Sequence, residues 1–544
     1  MDHIIRYASA LLDHGINPGD HIALYAPNSP QWTELDYACM AVRSVSIAIH
    51  STVSLQSLRQ IIDETRPRFV FAGTPELAKK LEGIIERRQI VVINGSVPGC
   101  HSLPQFTGSS FRSDWNRIGS EAVADELWTI VYTSGTTGRM RGAMLTYGNI
   151  QHQIAAHRLV LPDLNDSDSS FCLLPLSHVF ERGWSAIQYA WGLTHHYCPA
   201  GPQFIQALKS AHPSVVCVVP RVLEKIYMSF NEHLEHLPRW AGILFRRSIE
   251  VGKRYAALTS SDKKPGCWLR AQHALLDKLV FAKVRSLFGG RLKHCVVGSA
   301  ALVPNVHEFF RAVGIFINNG YGLTETTATI SSTPLGHSLP NTVGTPLQGI
   351  EVRLGENDEI QVKGPTVMRG YYRNEEETAK VFTADGYFRT GDVGRFLPNG
   401  YLSITDRIKD FIRTSTGKYV APQHLESLLC MSPYISQAAI VGEGRSWIGA
   451  LVVPDFKKLQ ALAAQMGIQA AKIQDMLCNN DIVSFIQKQI DVILKDEAKH
   501  EQVHKIILLE HPFTTDNGEL TPTLKLRRSA ISEHYREPIE AMFA

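Results

Sequence analysis

Leu127-Trp128-Thr129-Ile130-Val131-Tyr132 runs directly into Thr133-Ser134-Gly135-Thr136-Thr137-Gly138-Arg139-Met140-Arg141-Gly142. The first six residues are apolar, aromatic and β-branched, which is the composition of a buried strand. From Thr133 onward the residues are small and hydroxylated, and the stretch closes on a cation and a glycine. Glycines let the backbone bend and approach a ligand, hydroxyls and exposed N–H groups donate to phosphate oxygens, and Arg141 adds fixed positive charge. The stretch reads as a phosphate loop at a strand's end. Its spacing is not G-x-x-x-x-G-K-[ST], which disfavours a Walker ATPase. Taken alone, the same composition describes an ordinary surface turn.

Working outward, the preceding segments alternate in character. Ile4 to Leu12 has helical spacing, His21 to Ala26 reads as a strand, Gln31 to Val42 as a helix and Val45 to Ile49 as a strand. Leu55 to Thr65 (helix), Arg68 to Ala72 (strand), Pro75 to Arg87 (helix) and Ile90 to Asn94 (strand) continue it, the pattern of parallel strands with helical crossovers. Residues 95 to 120 read as an irregular connector, and the next regular element after the loop is a helix from Asn149 to Leu159. Strands at Phe171 to Leu176, Val215 to Val219, His294 to Gly298 and Ile315 to Asn319 come next, with a helix at Asn305 to Val313. From about residue 340 short, glycine-broken β segments take over, and beyond Lys409 strands and helices mix again. The expected fold class is α/β: a large, multi-layered N-terminal domain over 1–408 with parallel-type sheets and a β-rich subdomain at about 340–408, and a small α+β domain over 409–544.

Composition bounds the function. A chain of 544 residues, 44% hydrophobic and 20% charged, is too long for one core and too apolar for disorder. With 55 Lys and Arg against 52 Asp and Glu, the charge is too balanced for nucleic acid as the main partner. Nine scattered cysteines without a C-x-x-C pair suit reduced thiols of a cytoplasmic protein. No leader-like or membrane-spanning run is present, so a cytosolic location is expected. Residues 231 to 270 interleave cations with Trp240, Leu244, Phe245 and Tyr255; an amphipathic surface helix is the favoured reading, with peripheral membrane contact as the alternative.

Further clusters point to one ligand. Asn319-Gly320-Tyr321-Gly322-Leu323-Thr324-Glu325 lies just past a strand and would deliver an aromatic face, a hydroxyl and a carboxylate to the sheet's C-terminal edge. Thr390-Gly391-Asp392 sets an acid on a glycine turn, where one carboxylate can accept from both ribose hydroxyls. His178 ends an apolar strand, and Leu520 to Arg528 forms a basic loop. Singly, each has a plainer explanation as turn, core or tail. Together they ask for a magnesium nucleotide triphosphate.

These residues, with Asp406-Arg407 and Lys525, resemble in order and spacing the acyl-adenylate-forming superfamily over nearly the whole chain. Leu174-Pro175-Leu176-Ser177-His178-Val179-Phe180-Glu181-Arg182, Val219-Pro220-Arg221-Val222-Leu223-Glu224-Lys225-Ile226-Tyr227 and Leu520-Thr521-Pro522-Thr523-Leu524-Lys525 are similar to its bacterial long-chain fatty acyl-CoA synthetases. The resemblance implies an enzyme that joins a fatty acid to AMP at the expense of ATP and then passes the acyl group to coenzyme A. It implies catalytic roles for Lys525, Thr136, Glu325 and His178, Mg²⁺ held by Thr136 and Glu325, and nucleotide contacts from Thr133, Ser134, Gly135, Thr136, Thr137, Gly138, Arg141, Gly298, Ser299, Ala300, Asn319, Gly320, Tyr321, Gly322, Thr324, Asp392, Arg407 and Lys525. It also implies rotation about Lys409, which would withdraw Lys525 and bring Ser415-Thr416-Gly417-Lys418 toward the pantetheine path.

Three substitutions depart from the family pattern: Met140-Arg141 for Pro-Lys, Tyr147 for His, and Gly298-Ser299 for Gly-Gly. The chain also opens in a helix before which relatives carry further residues, so a missing edge segment or a start set too far downstream is expected. An aryl-CoA ligase, a ligase serving a carrier protein, and a catalytically weak acyl- or nucleotide-binding protein remain as alternatives. Homodimerisation, and contact with the inner face of the membrane, also stay open.

Overall fold

The structure, a computed structural model, describes the chain except for residues 109–110, 135–138, 199–203, 236–237, 262, 409, 469–471 and 522–524, and except for the side chains of Ser134, His233 and Glu235. Two large sheets organise the N-terminal part. The first has eight strands; His21–Tyr25, Val45–Ile49, Phe69–Ala72, Ile90–Val92, His101–Ser102 and Leu127–Ser134 run parallel, and Met140–Thr146 and Gly370–Tyr371 extend it antiparallel. Along His21–Tyr25, Ile22 and Leu24 enter one buried cluster and Ala23 and Tyr25 another, so the strand is covered on both faces as parallel strands are. The second sheet has seven strands, of which Ser169–Cys172, Thr194–Tyr197, Val215–Val218, His294–Val297 and Phe316–Tyr321 are parallel, Thr194–Tyr197 forming one edge.

The Val179–Ala190 helix lies between the sheets. Val179 packs with Trp128 of the first, and Trp184 and Ile187 pack with Val215, Cys217 and Val296 of the second. Arg182 on this helix is 2% exposed. Its Nε donates to Asp36 Oδ2 at 2.9 Å and its Nη groups to Thr129 Oγ1 and Ser46 Oγ at 2.6 Å, while Trp128 lies under the guanidinium, 4.4 Å away. Such a pair is costly to bury, and what it contributes is a unique seating of helix on sheet.

A four-stranded antiparallel sheet (Glu351–Leu354, Glu359–Lys363, Phe388–Phe396, Leu402–Arg407) comes next along the chain. Beyond it, Ile435–Val441, Ile448–Pro454 and Val503–Leu508 form a three-stranded sheet. Two hydrophobic clusters drawn from residues between Ile412 and Phe543 give this part its own core. Leu428 and Met431 also pack against the second sheet's cluster, and Arg221 donates to the carbonyls of Cys430 and Ser436 at 3.1 and 2.8 Å.

Three local expectations give way. The helix expected over Pro75 to Arg87 stops at Lys79, with Gly83 at φ +71 in the turn after it. The segment 95 to 120 holds the helices Leu103–Thr107 and Asp114–Ser120; Leu103 and Phe106 supply buried apolar anchors, and Ser102 and Gln105 the capping bond. The phosphate loop does not pass straight to a helix: Met140–Thr146 returns antiparallel with Thr133 opposite Arg141, burying Ala143 and Leu145.

Candidate active site

The residues singled out for nucleotide chemistry gather where strands of both sheets end, the usual ligand edge of α/β sheets. Phe316–Tyr321 delivers Tyr321, and its hydroxyl donates to Asp392 Oδ2 at 2.8 Å. Asp392 and Arg407 are opposite partners in the Phe388–Phe396 and Leu402–Arg407 pair, and Arg407 Nε lies 3.1 Å from Asp392 Oδ1. Strand register fixes this pair. Burial raises the carboxyl pKa of Asp392, opposed by Arg407, by the Tyr321 hydroxyl and by the charge of Lys525. Burial likewise holds the Tyr321 phenol protonated, which keeps it a donor.

Lys525 reaches this group from the other end of the chain. Its backbone is tied to that of Thr521, whose N–H donates to the Lys525 carbonyl at 2.8 Å, and its own N–H donates to Thr521 Oγ1 at 3.0 Å. The residue keeps an open surface, yet protein crowds the amine. That loss of solvent, and then the Arg407 guanidinium, lower its pKa to about 8 against the pull of Asp392 and Asp410. His178 caps the Val179–Ala190 helix, its Nδ1 accepting from Phe180 N–H at 3.3 Å. Loss of water, Lys525 and His50 together bring His178 down to about 4. It is therefore neutral near pH 7, and with Nδ1 accepting, its proton resides on Nε2.

A second cluster surrounds Glu325, in the short turn Thr324–Thr326. Tyr371 donates to Glu325 Oε1 at 2.8 Å, Arg141 stacks on the Tyr371 ring at 4.7 Å, and Arg141 Nη1 donates to Glu377 Oε2 at 3.1 Å. Arg141 thus faces a carboxylate and a ring. Among the described residues Oε2 of Glu325 accepts no hydrogen bond, and a carboxylate oxygen suits a hard cation such as Mg²⁺. Gly322 is obligatory here, because a Cβ on it would come within 1.6 Å of the Ala328 carbonyl oxygen. Thr327 and Ala328 stand at φ +53 and +80, consecutive left-handed residues that non-glycine side chains rarely adopt.

Thr324, Asn319 and Gly320 lie on this same strand-to-turn segment, with Thr324 and Asn319 buried and Asn319 donating to the Thr342 carbonyl at 3.1 Å. Thr133 ends its strand beside Arg141, donating to its carbonyl at 3.4 Å. Gly298 packs against the Phe180 ring, with room for a Cβ only 2.9 Å from it; Ser299 stands at φ +72, and Ser299 and Ala300 are exposed. Gly135, Thr136, Thr137 and Gly138, the side chain of Ser134, and Lys409 lie outside the described residues.

Residues 1–372 match the AMP-binding enzyme family, and residues 409–544 match the AMP-binding enzyme C-terminal domain. The chain belongs to the AMP-binding enzymes. It is similar to the long-chain-fatty-acid--CoA ligase FadD15 of Mycobacterium bovis, with 32% identity over 98% of this chain and 90% of the relative. It is also similar to the human long-chain-fatty-acid--CoA ligase 1, with 30% identity over 98% and 80% of the two chains. Among solved structures, the adenylation domain of a carboxylate reductase from Mycobacterium chelonae shares the fold at TM-score 0.73 and 24% identity, covering 100% of this chain and 83% of that one. ATP-bound MatB from Rhodopseudomonas palustris gives TM-score 0.69 and 22% identity over 98% and 92%.

Sequence reasoning about this AMP-binding enzyme missed Tyr371, Glu377 and His50. Tyr371 meets Glu325 only because Gly370–Tyr371 pairs with Met140–Thr146, a long-range pairing without a local signal. His50 lies directly after the Val45–Ile49 strand, and its Nδ1 accepts from Thr52 N–H at 3.2 Å. Its place just past the end of a parallel strand was the available clue.

Proposed function

We propose that this enzyme activates a long-chain fatty acid with ATP to acyl-AMP and pyrophosphate, then transfers the acyl group to coenzyme A. The observation that carries the first half is Lys525, brought from the C-terminal part into the field of Asp392, Arg407 and His178. The relatives named as long-chain-fatty-acid--CoA ligases support the fatty acid and the acceptor.

In the first step a carboxylate oxygen bonds to the α-phosphorus and the bond to pyrophosphate breaks, with charge rising on the phosphate oxygens. Lys525, protonated below about pH 8, is suited to bridge the carboxylate and the α-phosphate, a preorganised positive charge that strengthens as charge develops. Asp392 would accept from the ribose hydroxyls, Arg407 holding it ionised. Tyr321 would lie along the adenine and Thr324 would donate to phosphate. His178, a neutral Nε2–H donor, would line the acyl carboxylate's side. Mg²⁺ would be held by Glu325 with Thr136 and phosphate oxygens, and it neutralises phosphate charge when bound. Arg141 acts on this site through Tyr371, which it stacks on and which orients Glu325.

Residues 1–408 and 409–544 would form two units turning about Lys409. Rotation after adenylation would carry Lys525 away and bring the exposed Ser415-Thr416-Gly417-Lys418 turn to the thiol path. AMP release measured with palmitate, octanoate and a hydroxycinnamate, each with and without coenzyme A, tests the reading. CoA-dependent turnover favouring palmitate is expected; turnover without CoA consumption would replace it with a carrier-directed ligase, and no turnover with a binding protein.

A further inference from the structure

The Arg239–Ser260 helix turns large apolar side chains outward at its start. Its buried residues are Gly242, Phe245, Ser248 and Gly252, three of them small. Gly252 sits so close to the Pro304–Ala312 helix that a Cβ would come 2.3 Å from the Ala312 carbonyl oxygen. Phe245 faces the core, but three large apolar side chains of the first turns point the other way: Trp240 is 69% exposed, Ile243 50% and Leu244 40%. An ordinary surface helix buries such residues and exposes its small and polar ones.

The antiparallel partner continues the pattern. Tyr255 stacks on His273 with ring centroids 3.9 Å apart, joining this helix to Cys267–Leu276. No residue of that second helix is buried, and from it onward Trp268 is 76% exposed, with Leu275, Leu279 and Leu287 exposed as well. Seven of the 19 large apolar side chains exposed among the described residues therefore fall between 240 and 287, including both exposed tryptophans. That density is not the scatter of single apolar residues found on any surface.

Charge singles out the same hairpin. Residues 239–290 contain eleven Lys and Arg against three Asp and Glu, a net +8, so the rest of the chain carries −5. Lys253 pairs with Glu308 and Arg285 with Asp277. Arg239, Arg246, Arg247, Arg254, Lys263, Lys264, Arg270, Lys278 and Lys283 are all exposed.

We propose that this hairpin docks the enzyme on an anionic lipid surface, with Trp240, Ile243, Leu244, Trp268, Leu275 and Leu279 entering the headgroup layer and the flanking cations meeting lipid phosphates. Tryptophan and leucine on a helix ringed by Arg and Lys match the two halves of a lipid interface. Nucleic acid would satisfy the cations and leave the aliphatic side chains without a partner. No described helix is long and apolar enough to cross a membrane, so the attachment is peripheral. Its use, collecting an acyl substrate that partitions into lipid, rests on the proposed fatty-acid activity; the docking itself does not.

Full-length protein is sedimented with vesicles of phosphatidylcholine, with or without phosphatidylglycerol. Binding is expected to the anionic vesicles, to weaken strongly with salt, and to fall about tenfold or more in Arg246→Glu/Arg247→Glu. Trp240→Phe/Trp268→Phe retains fold and bulk and should lose the tryptophan quenching that brominated lipid causes in the native protein. Octanoate-dependent ATP–pyrophosphate exchange should be unchanged in both variants. If exchange is absent in the native protein with palmitate as well as octanoate while vesicle binding persists, the catalytic reading fails and docking stands. Equal binding to neutral vesicles, undiminished binding of the Arg variant, quenching that survives in the Trp variant, or binding of this hairpin to RNA or protein without vesicle binding would overturn docking.

Discussion

The two halves of the candidate site are held in different ways. Asp392 is locked by strand register against Arg407 and by the Tyr321 hydroxyl, and Glu325 by Tyr371 beneath Arg141, so each carboxylate has a partner from another element. Lys525 is tied to Thr521 by two hydrogen bonds, and among the described residues its amine makes no ion pair. The first half is preorganised; the second is delivered. On the proposed two-step reading, a group delivered for adenylation can also be withdrawn before the thiol attacks.

Removing the delivered charge should have the largest effect. Lys525→Ala is expected to lower carboxylate-dependent ATP–pyrophosphate exchange by about 10²–10³-fold, while thioester formation from supplied acyl-AMP stays within a few-fold. Retained exchange would break the division outright. Next comes the locked half: Asp392→Asn keeps an acceptor for Tyr321 but loses the charge facing Arg407, and the KM for ATP should rise about 10–100-fold with the KM for fatty acid little changed.

Acidity sharpens the contrast further. The pKa of Lys525 is lowered to about 8, so its charge is complete below that pH and is lost as pH rises through it. A plot of kcat/KM for ATP, which reports the free enzyme, should descend above about pH 8, losing roughly tenfold per further unit. Lys525→Arg, which does not deprotonate in this range, should remove that limb whatever its absolute rate. The smallest effect is expected at Ser299, held at φ +72, where glycine sits without strain. Ser299→Gly should raise stability by about 0.5–1 kcal/mol in denaturant titration.

Much of this was legible in the chain. Strands buried on both faces announce themselves as apolar runs, and Val45–Ile49 and the helix Leu55–Thr65 lie where periodicity puts them. Tyr321 could be named because it closes a strand and Asp392 because it follows Gly391, although the structure sets Asp392 within the Phe388–Phe396 strand and not on a turn; Arg407 could be named through the resemblance alone. Residues whose role depends on distant pairing could not: Tyr371 reaches Glu325 through a two-residue strand, and Arg141, read as a phosphate cation, is engaged by Glu377, 236 positions away. The outward tryptophans of the basic hairpin were hidden for another reason. Periodicity shows that a helix has an apolar stripe, but only packing shows which stripe is buried.

Arg182 carries a consequence for how the molecule comes apart. One guanidinium on the helix between the two large sheets bonds to Thr129 and Ser46 of the first and to Asp36 on the Pro30–Ala41 helix, while its neighbours Trp184 and Ile187 are packed into the second. The first sheet cannot shed this helix without stranding a buried charge, nor the second without exposing Trp184 and Ile187, which couples their unfolding into a single cooperative event. The C-terminal part, with its own hydrophobic clusters, is free of that coupling. Calorimetry of the intact chain should then resolve a large transition for the paired sheets and a separate, smaller one, and Arg182→Met should shift only the former.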